Sequence, residues 1–161
     1  MKKIILLLLV VFIASCSTQS NLNRFYKNYS QENHVMTLRA PMLLGALFLD
    51  SEYADLVSRG IKSLRFMRIG ELEDTRKDVV QRDLANALSR DGFTPWFTMN
   101  ENNARINVLT RERMGATRNV TVTWDVGREM YVLNAQTNLS ENELTKLLRS
   151  VNIGNSNKPK R

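Results

Sequence analysis

The second half of the chain carries an alternation of apolar and polar residues that is typical of β-strands. It is clearest over residues 118–125, where Val120, Val122 and Trp124 alternate with polar side chains. This pattern predicts a strand with one buried and one solvated face, and therefore an antiparallel sheet covered on one side. Residues 93–99, 105–111 and 130–136 follow the same period, and the short polar segments between them predict a meander.

The first half of the chain combines strands with amphipathic helices. Residues 34–38 and 61–69 predict two strands, and residues 41–60 predict a buried helix that begins at Pro41 and ends at Gly60. Helical spacing of apolar residues predicts two further helices, with these inward positions: Leu22, Phe25, Tyr26 and Tyr29; Val80, Leu84, Ala87 and Leu88. Thr75 is the expected cap of the second of these helices, and Asp91-Gly92 is its expected end.

A last helix is predicted after the final strand, because Ser140 and Glu143 form a capping box. Leu139 and Leu144 flank this box as its hydrophobic staple. The expected fold class is therefore α+β: a two-layer arrangement in which a mainly antiparallel sheet of about six strands has helices packed on one face.

The N-terminus carries a separate signal. Two lysines precede ten uninterrupted apolar residues, 4–13, which as a helix span about 15 Å, half of the roughly 30 Å of a bilayer core. This order is typical of a secretory signal peptide. Its end, Ile13-Ala14-Ser15-Cys16, resembles the bacterial lipobox, in which the cysteine thiol receives a diacylglycerol and the preceding bond is cut. We therefore predict cleavage between Ser15 and Cys16 and lipid attachment at Cys16.

The cysteine count favours this interpretation. Cys16 is the only cysteine, so an exported chain could form no internal disulfide, and lipidation would consume the thiol. Two or three acyl chains anchor durably where one is marginal, so the membrane is a predicted partner. Ser17, rather than aspartate, follows the cysteine, which by analogy with lipoprotein sorting favours the outer membrane, facing the periplasm. The alternative is an ordinary signal peptide with a chance cysteine, or a cysteine that is a buried free thiol.

The predicted organisation is a signal peptide over residues 1–15, a lipidated tether over 16–21, one α+β domain over 22–152 and a disordered basic tail over 153–161. The formal net charge is +7. Five of the 23 lysines and arginines lie in the signal or the tail, which leaves 18 in the domain against 16 acidic residues. Since the excess lies mostly outside the fold, no nucleic-acid partner is predicted.

Several features together resemble a known family. They are the lipobox-like ending, the aromatic FYKNY helix (Phe25 to Tyr29), the Leu64-Arg65 strand, the Asp91-Gly92 stop and the late strands before a terminal helix. In this combination the chain resembles the bacterial lipoprotein family catalogued as domain of unknown function four-two-five-two. The resemblance implies an exported, lipid-anchored protein with this fold, and it brings no established active residues.

Few residues suggest catalysis. His34 is the only histidine and no G-x-S-x-G segment exists, so a catalytic triad has no support. One histidine and a lipidated cysteine leave only carboxylates for zinc, so no metal and no cofactor are predicted. We expect a cell-envelope lipoprotein that acts as a non-enzymatic binding or structural module. The alternative is an envelope hydrolase that uses the acidic residues of Glu71–Asp74, although carboxylates just before a helix also offset its dipole.

One segment predicts a binding edge. Pro95 cannot donate to a strand ladder, which places residues 93–99 at a sheet edge or a bulge. If Phe97 and its alternate neighbours face the core, the other side of the strand presents Trp96, Thr94 and Thr98. An exposed tryptophan on an edge strand could bind an envelope protein by strand addition. The alternative is a helix that covers the tryptophan.

Overall fold

The structure is a computed structural model that describes residues 19–41, 57–101 and 104–150. The elements in these ranges are, in chain order, α1 (Asn21–Tyr29), β1 (Val35–Pro41), β2 (Ile61–Ile69), α2 (Asp74–Arg90), β3 (Thr94–Glu101), β4 (Ala104–Arg113), β5 (Ala116–Val126), β6 (Glu129–Leu139) and α3 (Glu141–Ser150). Residues 57–60 are also helical. The predicted signal peptide, most of the tether, most of the helix expected over 41–60 and the tail lie outside the described residues.

All six strands join one antiparallel sheet in the order β1-β2-β6-β5-β4-β3. Strands β3 to β6 form the expected meander, and β6 then pairs with β2, which brings the two halves of the chain together. Strands β1 and β3 are the edges. The predicted α+β class with a six-stranded antiparallel sheet is confirmed.

Two helices cover the same face of the sheet, which we call the α1/α2 face. Their apolar side chains share one core with the middle strands, and the buried members of this core include Phe25, Tyr26, Met67, Ile69, Val80, Leu84, Leu88, Met130 and Val132. The apolar residues whose spacing predicts α1 and α2 are thus the residues that the structure buries. Burial of this apolar surface stabilises the sheet at about 25 cal/mol per Å².

The opposite face has its own apolar cluster. Leu144 of α3 packs there with Val108, Val120, Ala135 and Leu139. The sequence predicts helices on one face of the sheet only, and this detail is wrong, because the final helix lies against the face opposite to α1 and α2. Next to this cluster lie three aromatic rings, those of Phe66, Trp124 and Tyr131, of which the last two stack at a centroid distance of 5.0 Å.

Strand β5 is covered on both faces, whereas the sequence predicts that only its apolar face is buried. Thr121, Thr123 and Asp125 are only 0%, 6% and 8% exposed, and on the other face Val120 is 6% exposed while Val122 and Trp124 are half-buried. Thr123 and Asp125 pair in register with the core residues Val132 and Met130 of β6, so this polar face lies beneath the helices. Hydrogen bonds between strands allow this burial: Asn134 Nδ2 donates to Thr121 Oγ1 at 2.8 Å, and Asn107 Nδ2 to Thr123 Oγ1 at 3.3 Å.

Two predicted helix starts are wrong. Pro41 ends β1 opposite Ser63 instead of beginning a helix, and its missing N–H is tolerated because β1 is an edge strand. Helix α2 begins at Asp74 with Glu73 as the N-cap residue and no side-chain cap, so Thr75 does not cap it. The predicted capping box of α3 is confirmed, since Glu143 Oε2 accepts from the Ser140 backbone N–H at 2.8 Å.

Asp91, which directly follows α2, forms hydrogen bonds with the first residues of α1. Asp91 Oδ1 accepts from the backbone N–H and the side-chain amide of Asn21, and Oδ2 accepts from the Leu22 N–H, each at 2.8 Å. Burial raises the pKa of the Asp91 carboxyl, but these hydrogen bonds outweigh it and hold the pKa below its ordinary value. The carboxylate also offsets the positive end of the α1 dipole.

Two tyrosines fix the other end of α1. The Tyr26 hydroxyl lies 3.5 Å from the carbonyl oxygens of Arg65 and Val132, and burial raises the pKa of this tyrosine. Tyr29 donates to Asp83 Oδ2 at 2.7 Å, and burial, with that hydrogen bond, raises its pKa to about 12. Helix α1 is therefore attached both to the sheet and to α2.

We predict that Asp91→Asn lowers the free energy of unfolding by about 1–2 kcal/mol at pH 7, because an amide replaces a charged helix cap. The folded pKa of Asp91 lies below the unfolded value of 3.8, so the contribution is complete above that pH and is lost as the pH falls through the folded pKa. Urea unfolding at pH 7 and at pH 3 measures both effects. The control is Asp78→Asn, an exposed carboxylate of α2. Equal losses in the two variants at pH 7 would contradict the role of Asp91.

Candidate functional site

A polar cavity of about 330 Å³ opens on the α1/α2 face beside the beginning of α1. Its polar lining includes Ser20, Asn23, Arg39, Arg65, Asp91, Arg111, Asn119, Asn134 and Gln136. We call it the arginine cavity. Its volume is at the lower end of the range of small-molecule sites, about 300–1,000 Å³.

The strand register assembles this lining in two neighbouring rows. Arg39 pairs with Arg65, which pairs with Asn134, so one row crosses β1, β2 and β6. The other row crosses β4, β5 and β6, where Arg111 pairs with Asn119 and Asn119 with Gln136. Residues paired in register share a face of the sheet, so the cavity follows from the pairing of strands that are distant in sequence.

Arg65 is held by α1. Its Nη1 donates to Asn23 Oδ1 at 3.0 Å, and its Cζ lies 3.8 Å from the centre of the Tyr26 ring. This distance is typical of a cation–π interaction. Burial lowers the pKa of Arg65, and the neighbouring charge of Arg39 lowers it further. The guanidinium is thus fixed in position and close to a second positive charge.

Arg111 is positioned on the other side of the cavity. Its Nη2 donates to Asn119 Oδ1 at 2.5 Å, and its Cζ lies 5.4 Å from the centre of the Phe93 ring. Arg39, in contrast, is exposed and forms no ion pair with any described carboxylate. The cavity therefore combines two oriented guanidinium groups with a third that is exposed to solvent.

The charge of the cavity is not balanced from within. Asp91 is its only acidic lining residue among those described, and both of its oxygens accept hydrogen bonds from the start of α1. Like charges on directly opposed strand positions repel, as Arg39 and Arg65 do here. Guanidinium groups and side-chain amides are the donors that bind phosphate and carboxylate groups. The arrangement can therefore hold an anion.

Sequence reasoning missed these residues. The arginines lie on three different strands, 26 and 46 positions apart, and nothing local joins them. A signal existed in β5 and β6, where Asn119 and Asn134 lie on the face that the structure covers. The alternation in β5 instead predicts that this polar face is exposed to solvent.

The predicted lipid attachment site at Cys16 and the cleavage position at Ser15 lie outside the described residues. The predicted edge is present: β3 is the outermost strand, and Trp96 is 38% exposed. Thr94 Oγ1 lies 3.4 Å from the Thr110 carbonyl oxygen, and Thr98 Oγ1 lies 3.2 Å from Asn107 Oδ1. No role in partner binding follows from these contacts alone.

The expected arrangement of that edge is wrong in one respect. The register shifts between Pro95 and Phe97, so Thr94 pairs with Thr110 whereas Thr98 pairs with Asn107. Because a bulge inserts an extra residue, it reverses the alternation, and the two threonines lie on opposite faces. Phe97 is 43% exposed rather than directed into the core.

The acidic residues of the hydrolase alternative do not form a cleft. Glu71, Glu73 and Asp74 are all exposed. Glu71 Oε1 lies 3.0 Å from His34 Nδ1, and both side chains are more than half exposed. Within the described ranges, no three His, Cys, Asp or Glu side chains are grouped so that they could hold a metal ion. Nor does any helix there have the length and apolar character needed to cross a membrane.

Comparison with protein-family models finds no match, and comparison with curated proteins also finds none. Among solved structures, the chain is similar to the crystal structure of a protein of unknown function, PA94, from Pseudomonas aeruginosa. The TM-score is 0.38 at 14% identity, over 81% of this chain and 85% of that chain. A likeness at this level carries no argument about function.

We predict that inorganic phosphate raises the Tm of the protein and that Arg39→Gln removes at least half of this rise. Without phosphate, Arg39→Gln should unfold at the same temperature or slightly higher, because the variant loses the repulsion between Arg39 and Arg65. Thermal unfolding followed by circular dichroism, with and without phosphate at constant ionic strength, measures both. Arg82→Gln, an exposed site on α2, is the control. An equal phosphate effect in both variants would contradict the site.

Proposed function

We propose that this protein is a cell-envelope lipoprotein that is anchored by acyl chains on Cys16 and binds an anionic envelope component in the arginine cavity without transforming it. We place it at the outer membrane, facing the periplasm, as a member of the family that it resembles, domain of unknown function four-two-five-two. The segment Ile13-Ala14-Ser15-Cys16, at the end of the predicted signal peptide, supports the anchor. The three arginines of the cavity support the binding role.

One observation joins the two halves of this proposal. Ser20 lines the arginine cavity, and it follows Cys16 by only four residues. Four extended residues span at most about 14 Å. A lipid on Cys16 would therefore keep the cavity close to the membrane surface, where phosphate groups of lipids and lipid-linked sugars are concentrated.

Binding, rather than catalysis, is what the lining favours. Its arginines and amides donate hydrogen bonds, and the carboxylate of Asp91 is already occupied by α1. General acid–base catalysis requires a titratable group within reach of the reacting atoms. The exposed carboxylates of Glu71–Asp74 lack the enclosed cleft that the hydrolase alternative requires, so we do not propose that activity.

We propose a second, separate binding role for the edge strand β3. Strand β3 is an edge whose Trp96 is partly exposed, which favours addition of a strand from an envelope protein partner. The bulge separates Thr94 from Thr98, so only Trp96 and one threonine could face a given partner side chain. The arginine cavity is the better supported of the two sites.

We predict that Cys16→Ser abolishes lipid attachment and releases the protein from the membrane. A hydroxyl cannot form the thioether, and the remaining ten apolar residues of the signal are too few to span a bilayer. Metabolic labelling with an alkyne-tagged palmitate, followed by membrane flotation, measures both effects. Ser15→Ala, which keeps a small residue before the cysteine, should label and float like the natural chain.

Two results would contradict the anchor. One is a Cys16→Ser protein that still matures at the same position and floats with membranes. The other is a natural chain that incorporates no palmitate although it is exported. Either result would leave the arginine cavity intact but would remove the reason to place it at a membrane surface.

A further inference from the structure

A second recess on the α1/α2 face lies between α2 and the strands β3 to β5. We call it the α2 groove; its volume is about 380 Å³. Leu84 and Leu88 of α2, with Leu109 of β4, form apolar walls, and Thr123 and Asp125 of β5 lie at its floor. None of the residues that line the α2 groove lines the arginine cavity. The two sites are therefore separate.

The floor of the groove contains one unsatisfied group. Asp125 is 8% exposed, and its Oδ1 has no hydrogen-bond partner among the residues that the structure describes. Its neighbours are satisfied, because Thr98 Oγ1 donates to Asn107 Oδ1 at 3.2 Å and Asn107 Nδ2 donates to Thr123 Oγ1 at 3.3 Å. Buried polar atoms without partners are rare in native proteins, and each one calls for an explanation. Here the free oxygen belongs to a group that lines an open recess.

We propose that the α2 groove binds a primary ammonium group carried on an aliphatic chain, with Asp125 as the acceptor. An ammonium has three N–H donors, and a hydrogen bond between two ionised groups is roughly twice as strong as a neutral one. The aliphatic chain would lie along Leu84, Leu88 and Leu109. Asp125 pairs with Arg105, which precedes Leu109 on β4 by four residues. Asp125 and Leu109 therefore lie about 13 Å apart along the strand direction.

The neighbouring positive charge does not prevent this binding. Arg105 pairs in register with Asp125, and these two are the only charged residues that line the groove in the described part of the chain. Arg105 is exposed, so solvent and salt screen its charge. Asp125 is buried, where its attraction for an ammonium is screened much less. The net preference of the groove floor is therefore for a cation.

The test is a methyl-NMR titration of the full-length chain, kept in nonionic detergent, with n-pentylamine hydrochloride at pH 7. Saturable shifts at the methyl groups of Leu84 and Leu109 are expected, with a Kd at least tenfold weaker in Asp125→Asn. The matched control is Asp78→Asn, the same change at an exposed site of α2, which should bind like the natural protein. Pentyltrimethylammonium carries the same charge without N–H donors and should give no saturable shift.

Three results would overturn the proposal: equal binding of the two probes, an unchanged Kd in Asp125→Asn, or no saturable shift in the natural protein. A second measurement does not depend on the ligand. Asp125→Leu removes the unsatisfied oxygen and should leave the Tm unchanged or higher, because it replaces a buried polar group by an apolar one. A lower Tm would show that the carboxylate is structural.

The ammonium could belong to a free amine or to a lysine side chain. The same titration with Nα-acetyl-lysine-N-methylamide separates these sources. Binding of both probes assigns the groove to lysine side chains as well as small amines. Binding of pentylamine alone restricts the ligand to free amines. This inference does not depend on the lipid anchor or on the arginine cavity, so its failure leaves the proposed function untouched.

Discussion

The carboxylate of Asp91 is the contact on which the arrangement of this face depends. It lies at the end of α2 and accepts three hydrogen bonds from the first turn of α1, so it joins the two helices that cover the sheet. Because α1 is held there, Asn23 and Tyr26 are in place to orient Arg65. The same contact uses Asp91, the one carboxylate among the described residues of the cavity lining, which leaves the positive charge of the arginines uncompensated.

The sequence predicted much of the fold, because local periodicity reports local structure. The helices α1 and α2, the six strands and the capping box at Ser140 all depend on residues close in sequence. For β5 the sequence predicts one solvated face, and this is wrong because the structure covers both faces. Alternation tells which residues share a face but not which faces the rest of the fold covers. Thr121 and Thr123 look solvated in the sequence, yet hydrogen bonds from neighbouring strands allow their burial.

The candidate site was beyond sequence reasoning for a related reason. The arginine cavity depends on Arg39 meeting Arg65 across β1 and β2, and on β6 returning to pair with β2. The bulge after Pro95 is a similar case, since the proline signalled an irregular edge but not which threonine would change face. Long-range pairing and single-residue register shifts are decided by the whole fold.

The α1/α2 face thus presents two recesses of opposite chemistry. The arginine cavity offers donors and positive charge, whereas the α2 groove offers an acceptor beneath apolar walls. Both contain polar groups that are at least partly buried, such as Arg65 and Asp125, and such burial costs stability unless partners are present. Such costs are typical of binding sites rather than of structural cores.

The most direct test of the central claim is to observe the arginine side chains while an anion is added. In ¹⁵N spectra of the guanidinium Nε–H groups, phosphate should shift the signals of Arg39, Arg65 and Arg111 along one common saturation curve. The signals of Arg82 and Arg90, exposed on α2, should stay in place. Shifts of equal size at all five arginines, or no shift at the three cavity residues, would contradict an anion site in this cavity.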